Sequence, residues 1–163
     1  MNALVRTLKI AIALACAGWI APALADVALT TTVQKMEHVA APDGSVATRL
    51  APAEKVIPGD EVRYTITFVN DGKQPVDAGT VVITNPVPEN TQYIGDSAFG
   101  SGTTIQFSVD GGKTFHPANE LTVVRDGVKT PATAADYTTI RWVFGPALAP
   151  GGKSYVSFNA RLK

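Results

Sequence analysis

The segment GDSAFGSG, residues 95–102, sets a serine among glycines and is the first arrangement in this 163-residue chain that invites a nucleophile. A serine on a sharp strand-to-helix turn needs glycine two positions to either side. Phe99 occupies the second of those positions, no helical pattern follows, and His38 and His116 are the only imidazoles that could act as base. A loop joining two strands accounts for the segment better. Met36-Glu37-His38 combines thioether and imidazole, donors that suit copper, but one of each is not a coordination shell. Asp60-Glu61 offers two carboxylates, yet neighbours on a strand point to opposite faces and cannot converge on one substrate. The remaining acids stand singly at turns, Asp110 among them, and not in the alternating array of a calcium loop. The pattern assigns no catalytic residue, no cofactor and no metal ligand, and argues against an enzyme.

The first residues carry an address. Arg6 and Lys9 precede an apolar run from Ile10 to Ile20, and Ala23-Leu24-Ala25 is a small-x-small cleavage pattern, so residues 1–25 read as a signal peptide and Asp26 as the first mature residue. The run is shorter than a membrane span requires and Pro22 interrupts it, so no span is expected after cleavage. Cys16, the single cysteine, falls inside this segment, which leaves residues 26–163 without a thiol. The chain is expected to be exported, to the periplasm or the exterior. Losing Arg6 and Lys9 leaves twelve basic residues against fourteen acidic ones, with no basic run of the kind that follows phosphates, so nucleic acid is an unsuitable partner.

The mature chain is long enough for one domain with a sizeable core. In VRYTITFVN, Val62, Tyr64, Ile66 and Phe68 fall on one face and Arg63, Thr65, Thr67 and Val69 on the other, the period of a half-buried strand. Near the C-terminus Val156, Phe158, Ala160 and Leu162 alternate in the same way, and Ile140, Trp142 and Phe144 share a face in TTIRWVF. Further extended runs lie at 27–37, 46–50, 55–57, 80–88, 103–109 and 120–124. Pro58-Gly59-Asp60 and Pro150-Gly151 turn the chain into strands. Asp-Gly at 43–44, 71–72, 110–111 and 126–127 is the strongest short-range hairpin signal. No stretch has convincing helical periodicity. Seven to nine strands at this spacing predict an all-β fold, an antiparallel immunoglobulin-like sandwich, with Trp142 and its neighbours joining the sheets by packing alone.

Two resemblances follow from the motifs. SVDGGKTF, residues 108–115, resembles the Asp-box hairpin of sialidase-type propellers, a structural turn in which Asp110 accepts turn amides, Gly111 and Gly112 supply backbone freedom, and the aromatic packs beneath. Residues 56–94 resemble the bacterial conserved-repeat family known as domain of unknown function 11. The resemblance rests on Pro58-Gly59-Asp60, Tyr64-Thr65-Ile66, Asn70-Asp71-Gly72, Val81 to Asn85, Pro88 and Thr91-Gln92-Tyr93. It implies a secreted or surface-attached immunoglobulin-like module without a shared enzymatic activity.

The expected function is a non-catalytic module of the cell envelope that binds another envelope or extracellular protein, a second copy of itself included, through sheet faces or edges. One form of this has VALTTTVQK pairing with a neighbouring subunit to build a fibre, with Val27, Leu29, Thr31 and Val33 facing the partner's core; the simpler form has this strand completing its own sheet. Carbohydrate binding is a further alternative. It needs an exposed aromatic platform, for which Trp142 reads as inward-facing and Tyr155 and Tyr93 remain.

Overall fold

The computed structural model describes residues 27–40 and 44–163. The expected signal peptide with Cys16, and Asp26 and Asp43, lie outside the described residues. The described residues form eleven strands: β1 (Val27–Ala40), β2 (Val46–Pro52), β3 (Glu61–Asn70), β4 (Val82–Pro86), β5 (Thr91–Tyr93), β6 (Phe99–Gly100), β7 (Thr103–Ser108), β8 (Thr122–Arg125), β9 (Val128–Pro131), β10 (Thr139–Phe144) and β11 (Lys153–Leu162). They exceed the expected seven to nine because β5 and β6 are ladders of three and two residues, too short to show a period. Lys55–Ile57, read as extended, is a loop.

One sheet runs β2-β1-β3-β11-β5, with β6 also on β11; the second runs β4-β10-β7, and β8 and β9 form a separate hairpin. All pairings are antiparallel. The sheets pack face to face as a β-sandwich. Val62, Ile66 and Phe68 of β3 and Val156, Phe158 and Ala160 of β11 meet Ile140, Trp142 and Phe144 of β10, all buried. Trp142 packs on Phe158 at 6.2 Å between ring centroids, and Phe144 meets Phe68 edge-on at 5.2 Å. Phe158 in turn stacks on Tyr64, its partner across the β3/β11 ladder, at 4.8 Å. Aromatic contact thus joins the layers, the packing that a chain without disulfides requires.

The turns have distinct chemistry. Asp60 donates its N–H to Ile57 O across Pro58-Gly59, and Gly152 donates to Ala149 O across Pro150-Gly151. Gly59 and Gly151 have φ of 93° and 71°, as the third position of a type II turn demands, with proline preset at the second. Asp126-Gly127 joins β8 to β9 with both residues at positive φ, the requirement of a type I′ hairpin. Asp71-Gly72 closes no hairpin. There the chain leaves β3 for the opposite sheet, and buried Asn70 makes the corner: its Nδ2 donates to Gln74 O and Leu148 O at 2.8 and 2.9 Å, while Gly72 N–H donates to its Oδ1.

The Asp-box turn forms as the sequence reads. The Ser108 hydroxyl donates to Asp110 Oδ1 and accepts from the Gly112 N–H. Asp110 accepts from Lys113 N–H, Thr114 N–H and the Thr114 hydroxyl. These donors, Ser108 first, hold the Asp110 carboxyl far below the usual carboxylate range. Below the turn, Arg141 lies 3.5 Å over the Phe115 ring.

Candidate interaction surface

The residues that invited chemistry are engaged structurally. Ser97 Oγ donates to Ile94 O and accepts from the Asn159 N–H, tying its loop to β11. His38 Nε2 stands 3.4 Å from Glu61 Oε2, and its Nδ1 3.3 Å from Thr48 Oγ1. Asp60 pairs with Lys35 at 2.6 Å and Glu61 with Arg161 at 2.6 Å, so the adjacent carboxylates serve different partners. Each is held below its ordinary pKa, first of all by that cation's hydrogen bond. Among the described residues no three of His, Cys, Asp and Glu stand close enough to share a metal ion, and no helix is long and apolar enough to cross a membrane.

What distinguishes the molecule is its first strand. β1 pairs with β3 from Val27↔Asn70 to Met36↔Glu61, but β2 lies on its other side only from Gln34 onward. Residues 27–33 therefore keep one edge to which no described strand is bonded. The direction of their backbone groups follows from β3. Asn70 donates to Gly152 O and accepts from Gly151 N–H, so its polar groups face β11 and those of Val69 face β1. Antiparallel alternation then bonds Ala28, Thr30 and Thr32 to Val69, Thr67 and Thr65, and turns the N–H and C=O of Val27, Leu29, Thr31 and Val33 to the open edge.

The side chains of those four residues fall on the core side of the sheet, opposite Asn70, Phe68, Ile66 and Tyr64. The second sheet has three strands against six and leaves part of β1 uncovered. Val27 packs against the core rim, whereas Leu29 is 58% exposed and Val33 37%. Beside Leu29 a shallow trough of about 350 Å³ runs to β4, lined by Val81, Val82 and Ile83; beside Val33 a second, of about 310 Å³, reaches Val56, Pro88 and Leu162. VALTTTV carries no charge, proline or glycine, the devices by which edge strands are commonly blunted.

The sequence placed Val27, Leu29, Thr31 and Val33 on one face and near the start of the expected mature chain. It gave no sign that β2 would leave this edge open, because that depends on where β2 ends against β1. The structure brings these four residues into one row. It places Pro58, Gly59, Asp60, Asp71, Gly72, Pro150 and Gly151 in turns bordering the first sheet, and Asp110, Gly111 and Gly112 after β7. Trp142 is buried as read; Tyr93, one of the two tyrosines left as an aromatic platform, is buried as well, its hydroxyl accepting the Ala98 N–H, and only Tyr155 of that pair is half exposed. None of the protein-family models, curated proteins or solved structures compared with this chain matches it.

Proposed function

We propose that the chain is an exported, non-catalytic structural module of the bacterial cell envelope that engages another polypeptide by strand addition at the free edge of β1. The supporting observation is the coincidence, over residues 27–33, of unpartnered backbone groups with the uncovered apolar side chains of Leu29 and Val33. An added strand would satisfy the former and cover the latter together. The leader-like N-terminus supports export, and the resemblance of residues 56–94 to an envelope repeat family supports the setting. A second copy of the chain is the simplest partner, because two β1 edges can pair antiparallel about a twofold axis and continue the sheet.

The test exploits the alternation of β1. Proline at Thr31 removes an outward N–H and leaves the β1/β3 ladder intact. Light scattering over a concentration series, with capture from the envelope fraction, should show assembly or a retained partner for the wild type and neither for Thr31→Pro. Identical behaviour of the two proteins would rule the edge out.

A further inference from the structure

The outer face of the first sheet carries a second feature, independent of the β1 edge. Phe99 of β6 and Tyr155 of β11 come from opposite ends of the C-terminal half and meet there, with ring centroids 5.9 Å apart and both rings about half exposed. Ring pairs of this size normally belong to a core, and an exposed pair offers flat apolar faces to a ligand. They wall one side of an open depression of about 430 Å³ whose floor is Thr65 and Ser157 and whose far end is Arg63.

The register gives the scale. Arg63 stands beside Asn159, four residues along β11 from Tyr155, or about 13 Å. That leaves room for one or two sugar rings over the small floor residues. On the other side of Tyr155, two residues along the same face, lies Lys153, beside Val69.

Charge on this face is unbalanced. Its carboxylate, Glu61, is bound by Arg161 and approached by His38. Neither Arg63 nor Lys153 pairs with a carboxylate among the described residues, and Arg63 uses only its Nε, which donates to Asn159 Oδ1 at 3.0 Å. That bond fixes the guanidinium plane and leaves both terminal nitrogens as donors, the fork that suits a carboxylate. An apolar pair flanked at both ends by cations that no described carboxylate neutralises is complementary to a polymer that presents ring faces and repeated carboxylates.

We propose that Phe99, Tyr155, Arg63 and Lys153 form a binding site for an acidic polysaccharide of the uronate type, its sugar faces resting on the aromatic pair and its carboxylates meeting the two cations. Affinity electrophoresis of the full chain through gels containing polygalacturonate, dextran or polyglutamate tests this. Retardation by polygalacturonate alone is expected, with affinity falling roughly tenfold in Tyr155→Ala and in Phe99→Ala. Far-UV circular dichroism of these variants should be unchanged, since both rings are half exposed, and Arg63→Lys should weaken binding while keeping the charge. The site is refuted by no retardation in polygalacturonate, by equal retardation in polyglutamate, or by undiminished binding of both aromatic variants. Retention by dextran as strong as by polygalacturonate would refute the acidic specificity.

Discussion

Lys35 Nζ lies 2.6 Å from Asp60 Oδ2, joining β1 to the turn that opens β3 just where β2 takes over the outer edge of β1. Asp60 also accepts the Ile57 N–H, and its own carbonyl accepts Leu162 N–H from the last strand. One turn thus anchors the beginning of the sheet, its centre and its end.

Acid should loosen this anchorage. Asp60, Glu61, Asp110 and Asp136 are held below their ordinary values of 3.8 for aspartate and 4.5 for glutamate, chiefly by hydrogen bonds from Lys35, Arg161, Ser108 and the Thr133 N–H respectively. A group whose pKa is depressed on folding stabilises the fold above its unfolded value, and that contribution is lost as pH falls through the folded value. Melting temperature should therefore be flat near neutrality and decline below about pH 4.5. In Asp60→Asn the decline should be shallower and the neutral-pH value lower. Thermal melts of both proteins from pH 2 to 7 check this.

Asn70→Ala should destabilise the fold by roughly 2–3 kcal/mol, because it strips donors from two carbonyls and removes the acceptor of the Gly72 N–H at a buried corner. Asn70→Asp should cost at least as much, since a carboxylate cannot donate to Gln74 O and Leu148 O. Urea unfolding measures both.

Ser108→Ala should cost about 1–3 kcal/mol. The hydroxyl is fully buried, and without it the Gly112 N–H loses its acceptor and Asp110 its shortest donor. Binding at the β1 edge should be unaffected, which the capture experiment would show.

Truncating Trp142 or Phe158 to alanine should each cost about 3–5 kcal/mol. The two rings are in contact, so the double variant should lose less than the sum. Equilibrium denaturation of the two single variants and the double variant measures the coupling.

The strands β3, β10 and β11 were legible because period-two alternation is local, and the proline-glycine and Asp-box turns because their chemistry lies within a few residues. Asp71-Gly72 misled as a hairpin because Asn70, one position earlier, binds carbonyls of two separate loops. The pairing of β11 between β3 and β5 and the meeting of Phe99 with Tyr155 depend on contacts distant in sequence, which no local pattern encodes. The open edge of β1 was legible only in part. Its side-chain face follows from alternation, but the direction of its amides is set by how β3 bonds to β11.

Proline placed along β1 separates these two features of the strand. Thr31→Pro should leave stability nearly unchanged, since its N–H faces the open edge, whereas Thr32→Pro removes an N–H bonded to β3 and should lower stability by about 3 kcal/mol. Thermal unfolding of the pair tests the assigned direction of the amides independently of any partner.

The most direct test of strand addition is a photo-crosslinking amino acid at Leu29 in the cell that makes the protein. Strand addition predicts ultraviolet-dependent adducts to a second polypeptide, either another copy or a different envelope protein, and their loss when Thr31→Pro is added. Crosslinks confined to this chain's own β4, around Val82 and Ile83, would contradict it.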